Sequence, residues 1–319
     1  MTKYQIKKIN KGEFDILIPL MLDCFGMHVD LEYFKWKFLD NPAGVVEGYV
    51  ALSETNEVAA YYGVIPEYYS VNGEVKIIYQ SCDTMTHSSH RRKGLFKKLA
   101  LHCYNELKVQ NKLFVIGFSG VMSTPGFIKF GFKQLFNMKY YFIFNVPRVF
   151  PIQTNENVHT LTDINELESA ILNSNVSSKV HSHKTMEVFK WRISNPSYSY
   201  KFLAFHDGQS YSSYLCYYEL DDKIILFDFY FSTTLIGKEL IKSLKKIMKE
   251  NRMKGIISFV QENSYFSQVL KNVGFWNNPF SKGPLSSKVP FIFYANENDL
   301  NSYKSNDLWL VNSFDHDAM

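Results

Sequence analysis

The residues with the clearest chemical content are Arg91-Arg92-Lys93-Gly94, where a polar loop ends and a helical pattern begins. The first backbone N–H groups of a helix have no partner inside it, and the helix dipole adds partial positive charge at the same end. Glycine at that point carries no Cβ to hold a ligand off the main chain. Helix starts favour acidic residues, so three cations there oppose the dipole unless an anion neutralises them. The stretch therefore predicts a phosphate site, against the plainer reading of a solvated helix start with incidental basic residues. It is neither a Walker loop nor a dinucleotide fingerprint, because G-x-x-x-x-G-K-[ST] and G-x-G-x-x-G are both absent.

The elements that must position this loop can be read on either side of it. Period-two alternation predicts a first strand over residues 4–9. Apolar spacing predicts helices over 14–24 and 31–39, the second stopped by Asn41-Pro42. Three strands follow over 48–52, 58–69 and 75–85, with Asn72-Gly73 as a hairpin turn between the last two. Beyond the loop, Leu95, Leu99, Cys103 and Leu107 share a helix face, and 113–118 reads as a short buried strand. Ser123-Thr124-Pro125 starts a further helix that ends at Gly131-Phe132.

Arg91 to Phe96, preceded by Asp83-Thr84-Met85-Thr86-His87, resembles the acyl-CoA pyrophosphate loop of the GNAT acyltransferase superfamily, R-x-x-G-x-G/A. The chain departs from that pattern at Phe96, where Gly or Ala is usual, in a form associated with a bacterial, polysaccharide-type branch. The resemblance implies that the backbone amides of Arg92, Lys93, Gly94, Leu95 and Phe96 hold the diphosphate, with charge from Arg91, Arg92 and Lys93. Met85 and Thr86 would carry the pantetheine arm through their main chain, and Ser123 and Phe127 would complete the cofactor site. It further implies an open mixed sheet splayed between its fourth and fifth strands, acetyl-CoA or another acyl-CoA as cosubstrate, and an amine acceptor.

Acyl transfer to an amine needs proximity, removal of the amine proton, and stabilisation of the oxyanion and departing thiolate. Asp83 is the candidate base. On strict alternation it shares a face with Tyr79, Ser81 and Met85, a few residues upstream of the loop, and burial there raises a carboxyl pKa. The alternative is structural: Asp83 accepts hydrogen bonds from the turn after it. The family often places a tyrosine four residues before the Gly131 position to protonate the thiolate, and this chain has Phe127 there. His87, Tyr62 and Ser123 are the substitutes, with His87 entered as the second candidate catalytic residue; His87 and His90 also read simply as loop-surface residues.

A second copy is expected after residue 147. Phe34-Lys35-Trp36-Lys37 followed by Asn41-Pro42 recurs as Phe189-Lys190-Trp191-Arg192 followed by Asn195-Pro196, and Gly131-Phe132 recurs as Gly274-Phe275. Strand candidates at 200–205, 212–220, 223–231 and 255–260, with helices from 235 and 263, repeat the order. Residues 231–237 hold no cation before their helix, so this half reads as a degenerate copy that shapes the acceptor site. The expected architecture is α/β (α+β): two tandem GNAT-like domains, 1–147 and 148–319, each a mixed, mostly antiparallel sheet flanked by helices. The FKW segments read as core anchors of a helix end. The acidic end, Asp307 to Asp317, reads either as reaching the acceptor pocket or as a solvated tail.

Composition bounds the rest. The 319 residues are 46% hydrophobic and 16% aromatic, enough for well-buried cores. A net charge of +4 argues against a nucleic-acid binder that relies on bulk charge. Cys24, Cys82, Cys103 and Cys216 are scattered and read as buried thiols, and His181 and His183 lack the partners of a zinc site, so no metal is expected. No apolar run approaches the length of a membrane span, and the expectation is a cytoplasmic protein without membrane partners. The sequence reading is thus an N-acyltransferase of a small-molecule amine, an amino sugar by family analogy. A non-catalytic acyl-CoA sensor and a protein or peptide N-acetyltransferase are the alternatives.

Overall fold

A computed structural model describes residues 4–120, 123–146, 151–175, 180–280 and 282–317. The first half runs β1 (Gln5–Lys8), α1 (Ile18–Phe25), α2 (Leu31–Phe34, continued by a π-helical turn at Lys35–Leu39), β2 (Glu47–Leu52), β3 (Val58–Val71), β4 (Glu74–Thr86), α3 (Leu95–Val109), β5 (Phe114–Phe118), α4 (Thr124–Lys129) and β6 (Lys133–Phe144). The second half runs β7 (Val158–Leu161), α5 (Glu168–Asn173), β8 (Val180–Ser182), α6 (Met186–Ile193), β9 (Lys201–His206), β10 (Tyr211–Leu220), β11 (Lys223–Tyr230), α7 (Thr234–Glu250), β12 (Gly255–Gln261), α8 (Tyr265–Asn272), β13 (Trp276–Asn277), β14 (Lys288–Ala295), α9 (Glu297–Ser302) and β15 (Trp309–Leu310). None of the described helices is long and apolar enough to cross a membrane.

One sheet carries both halves, in the order β1-β2-β3-β4-β5-β14-β6-β12-β11-β10-β9-β7. Strands β1 to β5 and their counterparts β7 and β9 to β12 are arranged alike, each group with a single parallel pair, β4 beside β5 and β11 beside β12. The strand completing each group comes from the other half: β14 lies against β5, and β6 lies against β12. The halves therefore share their ladder hydrogen bonds, and neither sheet is complete alone. The Phe-Lys-Trp segments meet where the copies face each other. Trp36 Nε1 donates to the Trp191 carbonyl at 2.7 Å and Trp191 Nε1 donates to the Trp36 carbonyl at 2.8 Å, with their rings stacked. Two buried indole N–H groups are thus satisfied reciprocally, which fits the core-anchor reading of these segments.

Separate apolar clusters cover the two faces of the first-half sheet. Leu95, Leu99, Cys103 and Leu107 of α3 pack on Tyr62, Tyr79 and Val115, while α1 and α2 pack Leu20, Phe34 and Phe38 on Tyr61, Cys82 and Met85. Tyr79 and Met85 lie on opposite faces, so strict alternation along β4 does not hold. The register shows why: Tyr61 pairs with Met85 but Gly63 with Cys82, which leaves one extra residue on β4 between them. This is a β-bulge, and Asp83 within it takes a left-handed φ of 43°. Met85, whose expected contact with the cofactor is through its main chain, buries its side chain against the α1/α2 core.

Candidate active site

Strands β4 and β5 pair only over Tyr79–Ser81 and Val115–Gly117, and then part. A cleft of about 940 Å³ opens in the wedge, lined by Ser81, Asp83, Thr84 and Thr86 on one side and Gly117, Phe118 and Gly120 on the other. Its outer end is the loop Arg91–Phe96, followed by α3. The loop curls because Arg92 (φ 63°) and Gly94 (φ 73°) are both left-handed, an alternation that turns successive N–H groups toward one concavity. No side chain caps the start of α3, and its first turn contains no acidic residue. At the matching place in the second half, Thr233 accepts a hydrogen bond from Ile236 N and caps α7 itself. The same helix start is thus open to an anion in one copy and closed by its own side chain in the other.

Phe96, which replaces the usual small residue, fits because position 126 is glycine. A Cβ there would lie 2.9 Å from the Phe96 ring. The ring stands edge-on to Phe127 and Phe130, each with centroids 5.0 Å away. Phe127, at the place of the absent tyrosine, is thereby part of an apolar wall of the cleft.

The wedge in the second half is occupied. The segment after β15 runs along it: Val311 accepts from Gln261 N, Ser313 Oγ bonds both N and O of Phe259, and Asn312 Nδ2 donates to Asp228 at 2.9 Å. Asp228 is also held by Lys184 Nζ at 2.7 Å and by the Tyr214 hydroxyl. The chain then crosses to the first half, where Gln80 donates to Asp315 O and accepts from Asp317 N. From Trp309 to Asp317 the tail is therefore largely buried rather than solvated, while Asp307 is exposed.

At the inner end of the cleft this segment delivers Asp317 opposite Asp83, with Lys37 between them. Lys37 Nζ lies 3.0 Å from Asp83 Oδ1 and 2.9 Å from Asp317 Oδ2, and it is almost fully buried. Burial raises the Asp83 carboxyl above the usual carboxylate range and the nearby Asp317 charge adds to this, with Lys37 opposing. Burial acts the same way on Asp317, but the Lys37 ammonium outweighs it and lowers that carboxyl. His316, whose ring lies tilted against Phe118 in the same cleft, is pushed down to about 4 by burial and so is neutral at physiological pH. The two carboxyls are thus driven in opposite directions around one ammonium group, Asp83 upward and Asp317 downward.

Replacing Lys37 with methionine would leave two buried carboxylates facing each other without a cation. We expect a loss of about 3 to 5 kcal/mol in chemical denaturation at pH 8. The loss is expected to shrink at pH 5, where protonation relieves the repulsion, and an unchanged denaturation midpoint would remove Lys37 from this role.

Asp83 and Asp317 also line a second, adjoining cavity of about 210 Å³ with Phe25, Tyr33, Asn195, Ser197 and Tyr198. Residues from both halves thus meet beyond the two carboxyls. Of the candidate thiolate acids, Ser123 lines the cleft. The Tyr62 hydroxyl is buried, donates to Ser81 Oγ, bonds Tyr104, and has its pKa driven upward by burial. His87 does not belong to the cleft lining; its Nδ1 is engaged by Ser89 Oγ at 2.7 Å at the start of the tight turn Ser88–His90. Sequence reasoning missed Lys37 and left Asp317 undecided. One signal was available: Lys37 and Arg192 hold the same place in the repeated Phe-Lys-Trp segments, and both are buried cations.

Residues 5–135 match the family model described as Acetyltransferase (GNAT) domain. No curated protein sequence matches the chain. Among solved structures, the chain is similar to a protein from Enterococcus faecalis V583 described as a probable N-acyltransferase (TM-score 0.68, 13% identity, covering 92% of this chain and 72% of the other). It is also similar to a GCN5-related N-acetyltransferase from Anabaena variabilis (0.65, 12%, 91% and 72%) and to N-myristoyltransferase from Saccharomyces cerevisiae with bound myristoyl-CoA (0.63, 14%, 92% and 79%). At these identities the likeness is one of fold, and it extends over both halves.

Proposed function

We propose that this chain, whose residues 5–135 match the GNAT acetyltransferase domain model, transfers an acetyl group from acetyl-CoA to a primary amine of a small molecule. The observation that carries the reading is the continuity of three parts: an anion-accepting loop at one end of the wedge, Asp83 at the other, and a second cavity just beyond it. Diphosphate on the Arg92–Phe96 amides would lay the pantetheine arm along the exposed main chain of β4 and bring the thioester toward the bulge. The amine enters from the smaller cavity, attracted by the net negative charge of Asp83, Lys37 and Asp317. Its nitrogen attacks the thioester carbon, Asp83 takes the proton, and the C–S bond breaks to release CoA thiolate. Ser123 and water are the donors at hand for that thiolate.

A charged junction favours a short acyl group over a long alkyl chain, which would need an apolar tunnel at that point. The small cavity combines aromatic walls with amide and hydroxyl groups from Asn195, Ser197 and Tyr198. That lining suits a compact polyhydroxylated amine such as an amino sugar. The 1–147 and 148–319 division fits this scheme as a cofactor half and an acceptor-shaping half that exchange a strand. The experiment is free-thiol release from acetyl-CoA against amino sugars, polyamines and peptides. Acceptor-dependent turnover with an amino sugar is the expected result. Thermal stabilisation by CoA without turnover on any amine would instead make the chain a sensor.

A further inference from the structure

We propose that Glu57, His87 and His90 form a binding site for a divalent transition metal of the zinc class, on the outer rim of the cleft. One ligand atom from each residue lies within 4.8 Å of the others. The three come from two segments far apart in sequence: Glu57 from the turn between β2 and β3, and the two histidines from the turn Ser88–His90 and the residue before it. His90 is largely buried, with Nε2 3.1 Å from Glu57 Oε2. Its other nitrogen, Nδ1, lies 2.8 Å from the Tyr4 hydroxyl, and His87 Nδ1 lies 2.7 Å from Ser89 Oγ.

That pattern is what a metal-ligating imidazole requires, since its second nitrogen must be held by an outer partner. A hydroxyl can either donate or accept, so the Tyr4 and Ser89 hydroxyls can each receive an N–H when the opposite ring nitrogen gives its lone pair to a metal, which for His87 requires Nδ1 to give up the hydrogen bond it accepts from Ser89 N at 3.3 Å. In the metal-free arrangement the His90–Glu57 hydrogen bond stands where the ion would sit, a proton in place of a cation. Tetrahedral bonds of 2.0–2.1 Å place neighbouring ligand atoms roughly 3.3 Å apart, so the widest separation in the triad must contract by up to about 1.5 Å. Glu57, half exposed on a turn, can supply that movement. Lys93 Nζ, 3.5 Å from His90 Nδ1, opposes the added charge, while Glu57 and the nearby Asp23 favour it. Two imidazoles and one carboxylate select zinc, cobalt or nickel over magnesium or calcium, whose preferred donors are all oxygen. The inference does not depend on what the cleft binds.

The test uses the full chain stripped with a chelator and titrated with Co²⁺, followed by visible absorption, and with Zn²⁺, followed by calorimetry. Binding of one equivalent is expected, with Zn²⁺ displacing the Co²⁺ bands and a hundredfold excess of Mg²⁺ leaving them intact. Glu57→Gln and His87→Ala change side chains that are at least partly exposed, and each should weaken binding about tenfold or more. His90→Ala should abolish it, though this variant also removes an anchor of the loop and is read only beside the other two. Absence of saturable binding, equal competition by Mg²⁺, or affinities unchanged in both Glu57→Gln and His87→Ala would overturn the proposal.

Discussion

Gly94→Val abolishes the thermal stabilisation that CoA confers on this chain. Saturation at a hundredfold excess over Kd is worth about 2.7 kcal/mol, which corresponds to a rise of several degrees in melting temperature for the unaltered protein. Gly94 sits at φ 73°, and a Cβ added there meets no atom of the protein within 4 Å. A β-branched residue is therefore admitted by the surrounding packing but penalised in its backbone, at about 1 to 2 kcal/mol for the left-handed region. Its side chain also stands in the concavity formed by the loop and the uncapped start of α3. The control is Gly73→Val in the β3–β4 hairpin, where φ is 82° and a Cβ again meets nothing within 4 Å. Both variants should lose similar stability without ligand, and only the hairpin variant should retain the CoA-dependent rise. Arg91→Ala is expected to weaken the rise without eliminating it, because the Arg91 side chain is more than half exposed and its charge is screened by solvent. A Gly94→Val protein with the full CoA response would refute the diphosphate cradle.

Asp83→Asn lowers kcat for acceptor-dependent acetyl transfer by about 100- to 10,000-fold, the range in which a positioned base contributes. The fold survives the change, because Lys37 keeps Asp317 as a partner. CoA-induced stabilisation survives as well, because the diphosphate loop lies at the other end of the cleft. The pH profile separates a base from a structural carboxyl. Protonated Asp83 cannot accept the amine proton, so activity falls as pH drops through its pKa, and burial places that limb above the ordinary carboxylate range. In Asp83→Asn the limb disappears while residual turnover from proximity alone remains. Asp317→Asn removes the charge that helps raise Asp83, so the limb should move to lower pH and persist. A profile in Asp83→Asn that keeps the wild-type acid limb would transfer the role to another group.

The helices and strands flanking the loop were legible because each is a local pattern. Asn72-Gly73 makes its hairpin, Asn41-Pro42 stops its helix, and the three cations before α3 predict an anion because they oppose the helix dipole unless one neutralises them. The position of Asp83 was legible, but its face was not. Alternation assumes two residues per repeat, and one extra residue in β4, visible only once the strand is paired with β3, rotates everything beyond it. The side chain of Met85 lies on the face opposite Tyr79 for the same reason. The repeat of Phe-Lys-Trp was also on the page, yet nothing in a linear sequence says that Trp36 and Trp191 exchange hydrogen bonds across 155 positions.

By itself, then, the sequence determined the anion-accepting loop, the order of elements and the inequality of the two copies, since charge, glycine and periodicity act over a few residues. Tertiary structure alone decided that β6 and β14 change places. It also decided that the segment after β15 fills the wedge of the second half, and that Lys37, Asp83 and Asp317 converge from positions 37, 83 and 317. The physical reason is that an unsatisfied sheet edge, an open wedge and a buried charge are each completed by whichever segment reaches them in the folded chain. Separation along the sequence carries no trace of that choice.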